Sequence, residues 1–440
     1  MVKKVTIFGA GLVVKPMVDY LTEHGFEVVI ASRTLSKAEA LAEPHNNASA
    51  VQFNSNDVEA MEVLVDASDL VVSLLPATYH VQVAKKCLKY KKNMVTTSYI
   101  SSEMRALDKE AKAAGVILLN EIGVDPGIDH MSAMKIFHKV ENERGKIVSF
   151  MSYCGGLPSP EANTNPLGYK FSWAPRGVLK AATNDAKFMQ NGKIIDIKYK
   201  DLFKTYWFVD VEGVGTLEAY PNRNSMGYID LYGLKHIRTM YRGTFRNISH
   251  CETWDIISNM GFLDEEKKYE KLDGTIRDFI LTKLFKTDMA QDLEKLIRDK
   301  FNLPEHSVVL KKFAWLGFLD STPVPIESGA AIDVLTALML NKMSYEKGER
   351  DLLVLHHEFV AQYGQLEKRI TSTMIDYGIP NGCSSMARTV ALPAAIGARM
   401  ILEGKIDLSG VHLPIIPEIY LPVLQELELL GIKVVERFYD

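Results

Sequence analysis

The N-terminal stretch constrains the fold of this chain more than any other feature. An apolar run at residues 5–8 breaks into a turn with Gly9 and Gly11, a helical pattern follows, and residues 26–31 are apolar and β-branched again. Strand, glycine turn, helix and strand in this order form the first unit of a dinucleotide-binding fold. Gly9 permits a tight turn, and Gly11 lets the backbone approach a pyrophosphate that faces the helix N-terminus.

A third glycine is expected three positions after Gly11, but this chain has Val14 there. A side chain at that position is expected to hold the helix slightly farther from the strand. A Gly-x-Gly pair also occurs in ordinary turns, which is the structural alternative. The position of this pair between a strand and a helix favours cofactor binding.

The end of the second predicted strand indicates which cofactor is bound. NAD sites usually have an acidic residue there for the ribose 2′-hydroxyl, whereas this chain has Ser32, Arg33 and Thr34. A guanidinium group beside two hydroxyls suits a 2′-phosphate, so the sequence favours NADP(H) over NAD(H). The alternative is an ordinary exposed surface arginine.

The composition argues against several classes of partner. Over 440 residues the formal charge is −4 and the pI is about 6.3, so neither nucleic acid nor an anionic membrane is expected to bind. The four cysteines are far apart and form no C-x-x-C pair, which predicts neither a disulfide framework nor a metal site. A strand begins within a few residues of Met1 and no apolar run has membrane-spanning length, so a cytoplasmic protein is expected.

Strands and helices alternate after the first unit, up to about residue 122. The run at residues 70–75 is apolar except for one serine, which is typical of a parallel strand covered on both faces. Helices are predicted at residues 57–65, with Asp57 as the cap, and at residues 101–114. The alternation predicts an α/β fold, a Rossmann-type doubly wound parallel sheet.

Ligands of such sheets bind at the carboxyl ends of the strands. Those ends are predicted at residues 9–11, 32–34, 74–76, 97–99 and 123–127. Glycine and proline also occur in such turns merely to bend the chain, so each turn alone is weak evidence. Their convergence on one edge predicts the ligand site.

The sequence predicts three regions. A Rossmann dinucleotide-binding domain covers residues 1–127 and is rejoined by about 384–440. Residues 128–252 and 322–383 are predicted to form a mixed α/β substrate and dimerisation domain. The charged, helical pattern of residues 253–321 predicts a small all-helical insert.

A long irregular loop is predicted after a strand at residues 146–154. The loop covers residues 155–173 and is rich in glycine and proline. Loops of this length inside a domain are usually functional, and the alternative is an ordinary domain crossover. Farther on, paired strands are predicted around a turn at Gly364, and a helix rich in small residues is predicted at 384–402.

Several unusual motifs occur along the chain. They are Thr-Ser-Tyr at 97–99, Asp-Pro-Gly-Ile-Asp-His at 125–130, Tyr-Cys-Gly-Gly-Leu-Pro at 153–158, the segment 165–173, Tyr-Pro-Asn-Arg at 220–223, Arg-Gly-Thr-Phe-Arg at 242–246 and Ser-Ser-Met-Ala-Arg at 384–388. With these motifs the chain closely resembles the saccharopine reductase family, the glutamate-forming saccharopine dehydrogenases, essentially from end to end.

The resemblance implies an NADP-dependent oxidoreductase of lysine metabolism that acts on a CH–NH group. Its substrates would be saccharopine, 2-aminoadipate 6-semialdehyde and glutamate. The aldehyde and the glutamate amine condense to an imine, and hydride from the reduced cofactor gives saccharopine. The resemblance also implies a homodimer formed through the second domain. The physiological direction, lysine synthesis or degradation, stays open.

The resemblance further assigns the site residues. Substrate binding is implied for Ser98, Tyr99, Asp125, Arg223, Thr244, Phe245 and Arg246. Cofactor binding is implied for Gly9, Gly11, Leu12, Ser32, Arg33, Thr34, Leu75, Thr97, Ser98, Val124, Asp125, Pro126 and Trp173. The candidates for catalysis by proton transfer are Asp125, Tyr99 and Cys154.

Structural alternatives accompany these assignments. Asp125 could also cap a helix, since Pro126 would suit the first helical position. A buried cysteine such as Cys154 is more often a packing residue than a reactive one. Arg223 and Arg246 could be surface arginines paired to nearby acids.

Two other functions remain as alternatives. One is a related NADP-dependent reductase acting on another amine–aldehyde imine, which would lack the arginines that bind glutamate. The other is a non-catalytic NADP(H)-sensing protein, which would lack the substrate motifs. Both Arg223 and Arg246 are present, as are the motifs, and this favours a saccharopine-forming reductase over the two alternatives.

Overall fold

A computed structural model describes residues 2–439 of the chain. The chain divides into two compact units, Met1–Ile147 with Ala361–Asp440 and Val148–Val360. The first unit therefore contains both ends of the sequence. The predicted division into three regions is finer than these two units and stays a prediction.

Strands and helices are both distributed along the whole chain. The strands are β1 (Lys4–Phe8), β2 (Glu27–Ser32), β3 (Ala48–Gln52), β4 (Leu70–Ser73), β5 (Asn93–Val95), β6 (Ile117–Leu119), β7 (Lys146–Pro158), β8 (Ala186–Gln190), β9 (Lys193–Ile197), β10 (Trp207–Val211), β11 (Gly215–Pro221), β12 (Thr239–Arg246), β13 (Lys268–Tyr269), β14 (Gly329–Ala330), β15 (Asp351–Tyr363), β16 (Leu366–Tyr377), β17 (Gly410–His412) and β18 (Val434–Tyr439). The α-helices are α1 (Lys15–Glu23), α2 (Leu35–Ala42), α3 (Val58–Asp66), α4 (His80–Tyr90), α5 (Ser102–Arg105), α6 (Asp108–Ala114), α7 (Ile128–Asn142), α8 (Pro175–Ala181), α9 (Gly227–Leu231), α10 (His250–Met260), α11 (Ile276–Phe279), α12 (Leu293–Phe301), α13 (Val308–Leu316), α14 (Ala331–Lys342), α15 (Ser385–Leu402) and α16 (Pro417–Leu429).

The first unit contains a parallel sheet of seven strands in the order β17-β6-β5-β4-β1-β2-β3. Every neighbouring pair in this sheet is parallel. The doubly wound α/β fold predicted from the sequence is therefore confirmed. Because all strands run the same way, their carboxyl ends lie at one edge of the sheet. The strand β17 comes from the C-terminal segment. It pairs with β6 and is the edge strand at that side of the sheet.

Local sequence explains most of these elements. Asp57 caps α3, and its side chain accepts a hydrogen bond from the backbone N–H of Ala60, as predicted. The strand β4 is wholly buried, which agrees with its apolar sequence. Val14 stands where a third glycine was expected, at the N-cap position of α1, and it is buried.

Two predicted elements and one structural alternative need correction. The helix predicted at 101–114 is two helices, α5 and α6, and the side chain of Ser101 caps the first by accepting from the N–H of Met104. The helix α7 begins at Ile128 with Gly127 as its N-cap, so Asp125 does not cap it and Pro126 is not its first residue.

The third correction concerns the start of the predicted long loop. The strand β7 continues through Gly155 to Pro158 instead of ending at Cys154. A Cβ at Gly155 would lie 2.6 Å from the carbonyl oxygen of Phe245, so only glycine lets β7 pass this close to β12. The irregular segment therefore begins after Pro158.

The second unit contains strands in the order β10-β11-β12-β7-β15, and β8 pairs with β12 while β9 pairs with β8. The segment predicted as an all-helical insert contains α11, α12, α13 and most of α10, but it also contains the short strand β13, which pairs with β14. The strands β15 and β16 flank a turn at Gly364, as predicted. Within residues 2–439, no helix has the length and apolarity that crossing a membrane requires.

Candidate active site

The predicted site residues of the first unit lie at the carboxyl edge of the parallel sheet, and together with the buried groups that contact them we call them the strand-edge cluster. Gly9 follows β1 with φ of +121°, and a Cβ there would lie 3.0 Å from the carbonyl oxygen of Leu74. A Cβ at Gly11 would have no heavy atom within 4 Å. The turn is therefore closed toward the neighbouring strand at Gly9 and open at Gly11, as a turn that receives a phosphate must be.

The residues after β2 are accessible to a ligand. Arg33 and Thr34 are exposed, and the Oγ of Ser32 accepts a hydrogen bond of 3.3 Å from the N–H of Thr34. Leu12 is also exposed, with 68% of its surface accessible. A guanidinium group and hydroxyls at this strand end fit a 2′-phosphate.

Tyr99 and Asp125 come together at the same edge. Tyr99 follows β5 and Asp125 follows β6, and the phenol of Tyr99 donates a hydrogen bond of 2.9 Å to the Oδ1 of Asp125. Both side chains are partly buried. This hydrogen bond holds the carboxylate of Asp125 at the ligand-binding edge of the sheet.

The backbone around Asp125 has a tight, glycine-dependent shape. The N–H of Gly123 donates to the carbonyl oxygen of Pro126, and the N–H of Ile128 donates to that of Gly123. A Cβ at Gly127, where φ is +148°, would lie 2.0 Å from the carbonyl oxygen of Gly123. Gly127 therefore permits the turn that presents Asp125 at the strand edge.

A buried histidine that the sequence analysis did not select lies in this cluster. The Nδ1 of His80 is 2.8 Å from the Oγ of Ser73, and its Nε2 is 2.8 Å from the Oγ of Ser98. His80 is the first residue of α4, and burial lowers its pKa to about 4. A neutral imidazole thus joins two serines at the ends of the adjacent strands β4 and β5.

A second buried pair lies on the other side of Tyr99. The Nε2 of His130 is 2.7 Å from the Oε2 of Glu121, and both residues are buried. The Oε1 of Glu121 accepts a hydrogen bond of 2.9 Å from the N–H of Ile100. The pair therefore holds the backbone directly after Tyr99.

The strands β11, β12 and β7 of the second unit bring together other predicted residues. In register, Tyr220 of β11 lies opposite Thr244 of β12, and Thr244 lies beside Cys154 of β7. Thr244 and Arg246 are two residues apart on β12, so their side chains share one face of the sheet. The structure thus places Cys154, Thr244 and Arg246 together.

Arg246 is buried, and its surroundings have few anionic groups. Its Nη1 donates 2.8 Å to the carbonyl oxygen of Phe245, and its guanidinium carbon lies 4.9 Å from the centre of the Tyr169 ring. Its Nε makes no hydrogen bond, and among residues 2–439 no carboxylate lies within ion-pair distance of it. A buried guanidinium in this state calls for an anionic partner.

Neutral rings surround this arginine. Burial raises the pKa of Tyr169 to about 12, and burial together with the charges of Arg246 and Lys312 lowers the pKa of His250 well below its usual value. The rings of Tyr220 and His250 are stacked with centres 6.0 Å apart. These groups therefore leave the positive charge of Arg246 uncompensated.

A buried carboxylate and a buried lysine stabilise the helix next to Arg246. The carboxylate of Glu218 accepts hydrogen bonds from the N–H groups of Ser249 and Cys251 at the start of α10. The Nζ of Lys312 donates to the carbonyl and hydroxyl oxygens of Ser249. Burial lowers the pKa of Lys312, and the charge of Glu218 opposes this shift. The charges of Glu218 and Lys312 are thus hydrogen-bonded to the first residues of α10.

The remaining predicted residues have other surroundings. Arg223 is exposed in the turn after β11, where φ is +55°. Phe245 is fully buried, and its ring stacks on that of Tyr153 at 5.0 Å, so its carbonyl oxygen rather than its ring contacts Arg246. Trp173 is partly buried in the irregular segment of the second unit. Leu75, Thr97, Val124 and Pro126 lie at the strand ends of the first unit.

Comparisons with known proteins give the family of the chain. The family model described as the saccharopine dehydrogenase NADP binding domain matches residues 5–119, and the one described as the saccharopine dehydrogenase C-terminal domain matches residues 123–432. The chain belongs to the saccharopine dehydrogenase family. The resemblance stated from the motifs is thereby confirmed.

Relatives of this saccharopine dehydrogenase family member align along its whole length. Saccharopine dehydrogenase (NADP(+), L-glutamate-forming) of Schizosaccharomyces pombe is 39% identical and covers 99% of each chain. The enzyme of the same name from Saccharomyces cerevisiae is 38% identical over 97% of each chain. An apo structure of the L-Glu-forming saccharopine dehydrogenase from Saccharomyces cerevisiae covers 100% of both chains with a TM-score of 0.90 and 36% sequence identity.

Sequence reasoning missed the buried groups of this saccharopine dehydrogenase family member. His80 has a signal in the sequence, since Ser73 ends an apolar strand and His80 begins the next helix. Tyr169 lies in the motif segment 165–173 but was assigned no role, and His250 follows the motif at 242–246 without belonging to it. Only the packing shows that both rings lie near Arg246. His130, the last residue of the motif at 125–130, is buried against Glu121.

Proposed function

We propose that this chain is an NADP-dependent saccharopine dehydrogenase of the L-glutamate-forming type. It interconverts saccharopine with 2-aminoadipate 6-semialdehyde and L-glutamate in lysine metabolism. The names of its full-length relatives support this proposal. The observation that carries it is the buried Arg246, whose Nε has no hydrogen bond and whose guanidinium has no ion-pair partner among the described residues, because a substrate rich in carboxylates supplies one.

The reaction needs an imine and a hydride. In the direction of saccharopine formation, the glutamate amine adds to the aldehyde carbon, and loss of water gives the imine. When bound, NADPH would supply a hydride for the imine carbon, and NADP⁺ would accept it in the reverse direction. The task of the chain is therefore to bind the carboxylates and amines, to orient them and to assist the proton transfers.

Residues of the strand-edge cluster suit the amine of the substrate. Asp125 offers a carboxylate to an ammonium or iminium group, and Tyr99 holds that carboxylate through its phenol. We assign Tyr99 to proton transfer at the carbinolamine, since its hydroxyl both donates and accepts. The hydroxyl of Ser98 is a further polar contact for the substrate.

Residues of the second unit suit the carboxylates. Arg246 binds one carboxylate, with the Thr244 hydroxyl beside it, and the exposed Arg223 binds another. Cys154 lies next to Thr244 in register and is a further candidate for proton transfer. Phe245 contributes through its carbonyl oxygen, which fixes the Arg246 guanidinium.

Residues of the first unit suit NADP(H). Gly9, Gly11 and Leu12 would surround the pyrophosphate, because the open space at Gly11 admits it. The 2′-phosphate would contact Ser32, Arg33 and Thr34. The other cofactor contacts assigned are Leu75, Thr97, Ser98, Val124, Asp125, Pro126 and Trp173.

The test of this function is NADP⁺ reduction in the presence of saccharopine, with Arg246→Ala and a matched control. Arg176 is a suitable control because it lies in the same unit, is half exposed and pairs with Asp333 at the surface. Loss of a desolvated charge-assisted contact costs about 2–4 kcal/mol, so kcat/KM of Arg246→Ala is expected to fall about 30–1000-fold. Arg176→Ala is expected to stay within about twofold of the wild type.

The outcomes of this assay separate the alternatives. If the wild type turns over saccharopine and Arg246→Ala does so equally well, the proposed activity stands but Arg246 is not part of the site. Tight NADPH binding without turnover of saccharopine would move the assignment to another imine substrate or to an NADP(H) sensor.

We further infer that the protein is a cytoplasmic homodimer. Besides the second domain, through which the resemblance implies the dimer, the strand β18 of the first unit pairs with β16 and carries the exposed apolar side chains Val435 and Phe438, which suit a contact with a second copy. Light scattering after size-exclusion chromatography is expected to give twice the chain mass of 49.3 kDa. The mass of a single chain would contradict the dimer.

A further inference from the structure

We propose that His80 is a positioning residue that orients the hydroxyl of Ser98 toward the ligand of the strand-edge cluster. The inference rests on the proposed function, since it concerns how the same site holds its substrate. It assigns a role to a residue that the motifs do not mark. The role is to direct a hydrogen bond, and His80 itself makes no contact with the reacting atoms.

The geometry around His80 has two well-defined contacts. Its ring nitrogens lie 2.8 Å from the Oγ of Ser73 and 2.8 Å from the Oγ of Ser98. Ser73 is fully buried and His80 is 4% exposed, whereas Ser98 is partly exposed. The chain of contacts therefore runs from the interior of the sheet to its ligand-binding edge.

A neutral imidazole has one donor nitrogen and one acceptor nitrogen. The Ser98 hydroxyl therefore uses either its hydrogen or one lone pair for His80, and the remaining donor or acceptor points away from the ring. If Nε2 carries the proton, the O–H of Ser98 is left to donate to a ligand carboxylate. If Nδ1 carries it, Ser98 donates to Nε2 and presents its lone pairs to a ligand amine. The imidazole fixes the direction in both cases.

The surroundings of His80 keep it in this neutral form. Burial lowers its pKa, and no charged group among the described residues contributes to the shift. Its contacts are hydroxyl groups on β4 and after β5, so it has no anionic partner that would stabilise an imidazolium. His80 therefore acts as a fixed hydrogen-bonding group and not as an acid or a base.

The segment that carries Ser98 is held on its other side as well. Glu121 accepts the N–H of Ile100 and contacts the buried His130. Tyr99 lies between these two anchored residues, and its phenol reaches Asp125. Loss of the His80 contact is thus expected to disturb Ser98 first, while the anchor at Ile100 still holds the backbone.

Two substitutions separate the contacts of His80. The amide of Gln reaches the position of Nε2, so His80→Gln keeps a partner for Ser98, whereas the shorter amide of His80→Asn keeps a partner only for Ser73. For saccharopine oxidation, His80→Gln is expected to stay within about threefold of the wild-type kcat/KM. His80→Asn is expected to lose about 10–100-fold, mainly in kcat.

A double-mutant cycle with Ser98→Ala distinguishes positioning from packing. If His80 acts through Ser98, His80→Asn adds no more than about a twofold loss once Ser98 is alanine. Full multiplication of the two losses would overturn the inference, and so would equal losses in His80→Gln and His80→Asn. If His80→Asn does not fold, as judged by its thermal melt, the same cycle is run with Ser73→Ala in its place. Multiplying losses would again overturn the inference.

The wild-type rate separates this inference from the proposed function. Absence of saccharopine turnover in the wild type would overturn the function, and the positioning role would fall with it. Turnover in the wild type with uncoupled His80 and Ser98 would overturn the inference alone.

Discussion

At the scale of single residues, burial decides which groups carry charge. It leaves His80 neutral and surrounds Arg246 with neutral rings. A histidine in the unfolded chain titrates near pH 6.5, whereas the pKa of folded His80 is about 4. The unfolded chain therefore binds a proton at this residue in a pH window where the folded chain does not.

This difference predicts how acid affects stability. Because the pKa of His80 is lowered on folding, the stability linked to it is present above about pH 6.5 and is lost as the pH falls toward about 4. Between pH 7 and pH 5 the loss amounts to about 2 kcal/mol. Urea unfolding of the wild type and of His80→Gln at pH 7 and pH 5 measures this loss of unfolding free energy. The variant, which lacks the histidine, is expected to lose about 2 kcal/mol less than the wild type. Equal losses would show that His80 is protonated alike in both states.

Motifs could predict only part of the site at this scale. Tyr99, Asp125 and Arg246 were selected because they belong to recognisable motifs. His80, which contacts Ser98, lies in a segment without a motif, and Tyr169, whose ring faces Arg246, lies in a motif segment that assigned it no role. Their role depends on burial and on long-range packing, which periodicity and spacing do not report.

At the scale of secondary-structure elements, the two glycines of the turn after β1 have different roles: one is required by the backbone and the other leaves space for a ligand. Gly9 has a positive φ and packs on Leu74, whereas Gly11 has neither constraint. A methyl group at Gly11 would meet only a ligand.

The two glycines therefore predict opposite effects of alanine. Gly11→Ala is expected to keep the wild-type melting temperature but to weaken NADPH binding about tenfold or more, measured by fluorescence titration. Gly9→Ala is expected to lower the free energy of unfolding by about 1–3 kcal/mol, because its backbone conformation strains any L side chain. Unchanged NADPH affinity in Gly11→Ala would place the pyrophosphate elsewhere.

The elements that were predicted wrongly depend on distant contacts. Local sequence was enough for α3 with its Asp57 cap and for the buried strand β4. The extension of β7 depends on Gly155 meeting Phe245, which is remote in sequence. The motif at 384–388 also has a structural part, because the Arg388 guanidinium pairs with the carboxylate of Asp376. A family resemblance identifies such residues, but it does not show whether they stabilise the fold or bind the substrate.

At the scale of the whole molecule, the first unit is built from both ends of the chain. The helix α15 packs closely on the core of this unit, since a Cβ at Gly397 would lie 2.8 Å from the Cδ1 of Ile122. On the same helix, Arg399 donates a hydrogen bond of 2.6 Å to the phenol of Tyr20 in α1. The C-terminal segment is therefore an integral part of the nucleotide-binding unit and not an appendage to it.

This construction predicts that NADPH stabilises both ends of the chain together. Ligand binding to the folded unit suppresses its opening, and segments that open as one cooperative unit gain the same protection. In hydrogen exchange with NADPH, we expect slower exchange in β1, α1 and α15, and no change in α12 of the second unit, which is the internal control. Protection of β1 and α1 without α15 would show that the C-terminal helix opens independently, and the packing at Gly397 would then be too weak to couple them.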